Sequence, residues 1–273
     1  MMTMSAVVAA YNEAKHIERC LASLALQSFL PLEVIVVDDG SRDSTAALAH
    51  KCGAKVIRTQ HRGPAHARNV GAKAAKGDVL VFVDADMACA LGFLAAMVAP
   101  IEAGHGIGTF SKEIYLGNPE SRWARAYCRI RRLGNPRLLP ADFPDEWANY
   151  RALRRDEFLR VGGYDDVGYG EDMTLAPKIG RLAIAASGAR CLHFNPDSPR
   201  EIFANAHWIG RGYDIGEVAH PWRDNGPWRT ARRCWQDLRS GAGATIIPAR
   251  LMYSLGILLG LARRVHDPER HWM

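Results

Sequence analysis

Val79-Leu80-Val81-Phe82-Val83-Asp84-Ala85-Asp86 limits this chain more than any other stretch. Five consecutive apolar residues, three of them β-branched, need cover on both faces, as a strand inside a parallel sheet does. The run then stops at two carboxylates one residue apart. In an open α/β sheet ligands collect at the carboxyl ends of the strands, so both acids stand at a binding edge. Two hard oxygen ligands this close suit Mg2+ or Mn2+ carrying phosphates. An Asp-rich turn capping the next helix is the plainer reading, and the rest of the chain must decide.

Upstream, the same grammar repeats. Residues 4–10 form an apolar run ending at Tyr11-Asn12-Glu13, and residues 33–37 form another ending at Asp38-Asp39-Gly40-Ser41. Residues 54–59 make a third strand. Between them the apolar residues fall at helical spacing over 14–26, to about 51 and from Gly63-Pro64 to 75. Strands alternating with helices build βαβ units, hence a mostly parallel, Rossmann-like α/β sheet flanked by helices. Further on, the pattern predicts a helix over 91–103, a strand over 106–116 and a basic helix over 121–133. Residues 135–147 read as a loop, 150–161 as a strand and helix, 171–182 as a helix, and 182–194 as one strand. After Pro196 the composition changes: 200–218 reads as helical, with Trp208, Trp222, Trp228 and Trp235 around it. The expected division is residues 1–196 as the α/β domain and 197–273 as a helical C-terminal extension.

The net charge of +6 and pI near 9.1 call for an anionic partner, and the arginines are unevenly spread. Six scattered cysteines without a C-x-x-C pair argue against zinc or a disulfide framework and fit a reducing compartment. Residues 1–10 read as a strand and not as a signal peptide, so the expected setting is cytoplasmic or peripheral at the inner face of the cell membrane. The most apolar stretch, 245–261, is interrupted by Pro248 and Arg250. That leaves 251–262, shorter than the roughly 20 residues a bilayer requires, with Arg263 and Arg264 following. Two readings stay open: an interfacial helix with a basic edge, or a helix packed on the core or a second subunit.

Taken in order, Ala9-Ala10-Tyr11-Asn12-Glu13, Val36-Val37-Asp38-Asp39-Gly40-Ser41, Gly63 with Arg68-Asn69, Asp84-x-Asp86, Gly162-Gly163-Tyr164-Asp165 and Glu171-Asp172 resemble the family 2 inverting glycosyltransferases of GT-A fold. The resemblance covers roughly residues 4–196. It implies a donor-nucleotide site made of Ala9, Tyr11, Glu13, Asp39, Arg68, Asp84 and Ala85. Asp39 would accept from a pyrimidine N3–H and Arg68 would lie near the phosphates. Asp86, with Asp84 and His193, would hold Mn2+ or Mg2+ bridging the diphosphate and neutralising charge as it departs. Asp172 would be the base that takes the acceptor proton, so that a single displacement inverts the anomeric centre. Glu171, Trp208 and Arg211 would stand on the acceptor side.

The implied partners are a nucleoside diphosphate sugar, with UDP ahead of GDP, and a glycan or lipid-linked acceptor. A membrane surface is a further candidate partner, nucleic acid is not, and the oligomeric state is open. Two other classes compete. A nucleotidylyltransferase would want a Gly-rich phosphate loop after the first strand, where Tyr11-Asn12-Glu13 stands. A non-catalytic membrane- or anion-binding protein would explain the arginines and tryptophans but not acids placed in this order.

Overall fold

The computed structural model describes residues 2–212 and 221–266. Strands β1 (Met4–Ala10), β2 (Glu33–Asp38), β3 (Lys55–Arg58) and β4 (Val79–Asp84) lie parallel in the order β3-β2-β1-β4. Helices α1 (Ile17–Ala25), α2 (Thr45–Lys51) and α3 (Pro64–Ala74) connect them. Alternation along each strand feeds two separate cores. Val8, Val36, Val81 and Val83 pack with Leu21, Leu24 and Met97 on one face, while Val7, Ile35, Val37, Leu80 and Phe82 pack with Phe158 and Tyr164 on the other. Each such side chain contributes about 1.5–3 kcal/mol on leaving water. The register sets Ala9 beside Val37 and Asp84, and Ala10 beside Asp38, so three strands end level.

Beyond β4 the sheet becomes mixed. In chain order follow β5 (Met87–Cys89), α4 (Phe93–Glu102), β6 (Gly108–Phe110), β7 (Glu113–Leu116), α5 (Arg122–Arg131) and β8 (Glu146–Trp147). Then come β9 (Ala152–Arg154), α6 (Arg155–Arg160), a 3-10 turn (Glu171–Met173), α7 (Leu175–Ile179), β10 (Ala183–Ala185) and β11 (Arg190–His193). The large sheet runs β3-β2-β1-β4-β9-β6-β10-β8, with β9 antiparallel to both β4 and β6. The two strands expected over 106–116 and 182–194 each divide in two. One half joins the large sheet and the other a small sheet, β5-β11-β7. The breaks are local: Ser111 Oγ accepts from Glu113 N–H and donates to the Ala189 carbonyl, and Gly188 takes a left-handed φ of 78°. The helix expected over 171–182 is likewise cut into the 3-10 turn and α7, which stops at left-handed Gly180.

The C-terminal region is helical: α8 (Pro199–Gly212), α9 (Pro221–Asn225), α10 (Pro227–Arg239) and α11 (Ile246–His266). The part of the helix expected over 213–218 lies outside the described residues, as does the side chain of Arg264. Helix α11 is longer than the 251–262 stretch. Pro248 sits in its first turn, where a missing N–H costs nothing, and Arg250 is neutralised by Asp237 on α10 at 2.7 Å. By length and composition α11 is long and apolar enough to cross a membrane. One side of it is nonetheless packed against α8. A Cβ at Gly260 would stand 2.2 Å from the His207 carbonyl oxygen, and one at Gly256 2.7 Å from that of Phe203, so glycine lets the two backbones touch. Ile246 and Ala249 also join Ile202 and the α5 residues Ala126 and Tyr127 in one cluster.

Candidate active site

The level strand ends open into a cavity of about 940 Å³. Ala9, Tyr11 and Glu13 after β1, Asp39 after β2, Arg68 on α3, and Asp84, Ala85 and Asp86 after β4 all line it. So do Glu171, His193, Trp208 and Arg211. Of the donor, metal, base and acceptor residues expected from the sequence, Asp172 alone is absent from that lining.

Pairing in the small sheet makes one corner of the site. His193 faces Met87 across β11 and β5, and Phe194 N–H donates to the Asp86 carbonyl at 2.9 Å. This brings His193 Nε2 within 3.6 Å of Asp86 Oδ1. That oxygen is buried and has no hydrogen-bond partner, an arrangement that costs free energy unless something binds there. Ligand atoms of Asp84, Asp86 and His193 all fall within 4.8 Å of one another, a set of two carboxylates and one imidazole that can hold a divalent cation. The residues fit a divalent cation.

Asp84 is the less available of the two acids. Arg68 donates to its Oδ1 at 2.8 Å and Arg151 pairs with its Oδ2 at 2.8 Å. Burial alone would raise its pKa, but Arg151 and Arg68 outweigh that and hold the carboxyl well below the usual range. Arg68 also donates to Glu171 Oε1 at 2.5 Å. Its buried guanidinium therefore ties β4 to the 3-10 turn, with both carboxylates satisfied, while still facing the cavity. Burial, then the charges of Asp86 and Asp84, push Glu13 up to about 8. Acids crowd this end of the cavity, and a cation would relieve them.

At the end of β2, Asp39 is buried and its oxygens are engaged. It accepts from Gly63 N–H at 2.7 Å, from Arg62 N–H at 3.1 Å, from Thr59 Oγ1 at 3.2 Å and from His61 Nδ1 at 2.8 Å. The carboxylate thus pins the 59–63 loop that opens α3. His61, so held, stacks on Tyr11 with ring centroids 3.9 Å apart and 17° between planes. Sequence reading missed His61, which belongs to no motif and meets Asp39 only through the fold.

Asp172 accepts from Asn149 Nδ2 at 2.6 Å, on the far side of the 3-10 turn from Glu171. About 120° separates neighbours in such a turn, so adjacent carboxylates point apart. Asn149 and Arg151 were also missed, since the antiparallel insertion of β9 beside β4 leaves no periodic signal. On the opposite wall, His207 and Arg211 lie one turn apart on α8, and Arg263 joins them from α11 in the cavity lining. Burial and the two arginines lower His207.

Comparison with known proteins agrees with this arrangement. The poly(ribitol-phosphate) beta-N-acetylglucosaminyltransferase TarS of Staphylococcus aureus is 40% identical over 94 residues, 32% of this chain and 16% of the relative. The dolichol-phosphate mannosyltransferase of Pyrococcus furiosus is 30% identical over 169 residues, 57% of this chain and 47% of that protein. The chain thus matches less than half the length of either. Among solved structures, the mannosyltransferase PcManGT of Pyrobaculum calidifontis, in complex with GDP-Man and Mn2+, superposes with a TM-score of 0.59 at 20% identity, covering 98% of this chain and 88% of that one. TarS residues 1–349 in complex with UDP-GlcNAc superpose with a TM-score of 0.58 at 17% identity, covering 97% and 92%. These likenesses show the GT-A fold. Residues 5–162, more than half of the 273, match the family model described as glycosyl transferase family 2, and the chain belongs to that family.

Proposed function

We propose that this chain transfers one glycosyl group, with inversion, from a nucleoside diphosphate sugar to a hydroxyl or phosphate of a glycan or lipid-linked acceptor, with UDP ahead of GDP as donor nucleotide. The observation that carries the reading is the buried, unpartnered Asp86 Oδ1 beside His193 at the carboxyl ends of the strands. Asp86 and His193, with Asp84 behind them, would hold Mn2+ or Mg2+, which when bound neutralises charge on the departing diphosphate. Tyr11, Ala9 and Ala85 would seat the nucleoside against the loop that Asp39 pins. Arg68, neutralised by Asp84 and Glu171, would hold the phosphate side of the cavity rigid more than supply free charge.

The base we assign is Asp172, oriented by Asn149. Acceptor oxygen bonds to the anomeric carbon, the bond from that carbon to the diphosphate oxygen breaks, and the acceptor proton passes to the Asp172 carboxylate. A substrate must open a path to Asp172 from the cavity that Glu171 lines. Residues 1–196 then carry the donor and 197–273 the acceptor side, where Trp208 and the cationic Arg211 and Arg263 favour an acceptor bearing phosphate. The test is turnover. UDP-glucose, UDP-GlcNAc and GDP-mannose are each incubated with the protein and Mn2+, and release of nucleoside diphosphate is followed. Release that requires a divalent cation supports the reading. Nucleotide monophosphate and sugar phosphate as products, or no turnover of any donor that binds, would point to another chemistry.

A further inference from the structure

We propose that the outer stripe of helix α10 forms a docking surface for an anionic lipid bilayer, lying on it without crossing it. The proposal does not depend on the glycosyl-transfer reading. On α10 the two sides are sharply divided. Thr230, Cys234 and Asp237 face inward: Thr230 Oγ1 bonds Ser254 Oγ at 3.0 Å and Asp237 bonds Arg250 at 2.7 Å. About half a turn away, Trp228, Arg232, Trp235 and Arg239 recur at spacings of four, three and four and so share one stripe. Trp228 is 89% exposed and Trp235 57% exposed. Arg239 lies over the Trp235 ring at 4.5 Å, and among the described residues neither Arg232 nor Arg239 pairs with a carboxylate.

Tryptophans this open are costly in water. Unpaired arginines beside them match an acidic headgroup layer, and tryptophan suits the boundary between headgroup and acyl chain. Charge decides the occupant: a second copy of this basic chain would set like charges together, and an anionic bilayer does the reverse. Helix α10, 13 residues long and carrying Arg229, Arg232, Arg233 and Arg239, is too short and too charged to cross.

The experiment is flotation of the full chain with vesicles of phosphatidylcholine, alone or mixed with phosphatidylglycerol. Binding to the mixed vesicles only, and release of the bound protein by high salt or alkaline carbonate, is the expected result. The double variant Arg232→Gln with Arg239→Gln should bind about 25-fold more weakly, fivefold for each cation removed near an acidic leaflet. Trp228→Ala with Trp235→Ala should lose about tenfold or more while its circular dichroism and melting stay those of the parent, because both rings are exposed. Equal binding to neutral vesicles, no binding at all, or resistance to carbonate would overturn the proposal. So would parent-like binding by the arginine variant, or a dimer that these substitutions dissociate.

Discussion

At the scale of single residues, the site is held by carboxylates whose partners the sequence does not name. The sequence reading sets Asp39 against a base, and in the structure its oxygens fasten the 59–63 loop. Asp39→Asn keeps the shape but sets an amide N–H against backbone donors. It should cost about 1–3 kcal/mol of stability and weaken UDP binding as the His61 and Tyr11 stack loosens; thermal melting and nucleotide titration check this. Asp172→Asn should lower kcat at least a hundredfold and leave donor Kd nearly unchanged. Loss of donor binding with normal turnover of what does bind would move Asp172 into the nucleotide site. Glu13 gives a pH dependence. Its pKa, raised from 4.5 to about 8 by burial and then Asp86 and Asp84, means the folded state holds a proton that the unfolded state has released. Stability should therefore fall as pH rises from about 4.5 to 8 in protein kept in chelator, and Glu13→Gln should flatten that slope. An unchanged slope in denaturant titrations at several pH values would contradict it.

At the scale of elements, what the sequence made legible follows from periodicity. The four parallel strands and their helices stand where apolar runs put them, because β1, β2 and β4 are largely buried on both faces, β3 closes the edge, and each helix is buried on one. The split strands over 106–116 and 182–194 were not legible. Their breaks depend on Ser111 reaching the Ala189 carbonyl across 78 residues, a contact that no local pattern announces. Helix α10 was missed because its surface is polar and arginine-rich on most sides, and its one inward stripe, Thr230, Cys234 and Asp237, is not apolar. Helix α11 also changes how the tail can be tested. Deleting residues from Thr245 onward would uncover Ile202, Tyr127 and the glycine-lined face of α8, so loss of fold would mask any loss of membrane binding. A finer change is Gly260→Val. It forces a side chain into the His207 carbonyl and should destabilise by about 1–3 kcal/mol, measured by denaturant midpoint at unchanged m-value.

At the scale of the whole molecule, the parallel half of the sheet brings the ends of β1, β2 and β4 level, and the small sheet carries His193 to Asp86. The motif residues were legible because the chain spells them in order. Their mutual geometry was not, since Arg68, Arg151 and Asn149 reach their carboxylates through an antiparallel insertion and a 3-10 turn. Arginines gather on the C-terminal helices while the acids gather at the strand ends. The central claim is that Asp86 and His193 hold a cation through which donor phosphates bind. It is tested most directly by titrating UDP into the protein with Mn2+ and again in excess chelator, for the parent chain, Asp86→Ala and His193→Ala. The account predicts that Mn2+ tightens UDP binding at least tenfold in the parent and that each variant, folded as judged by melting, loses that gain. Equal UDP affinity with Mn2+ and with chelator, or a full Mn2+ effect in Asp86→Ala, would contradict it.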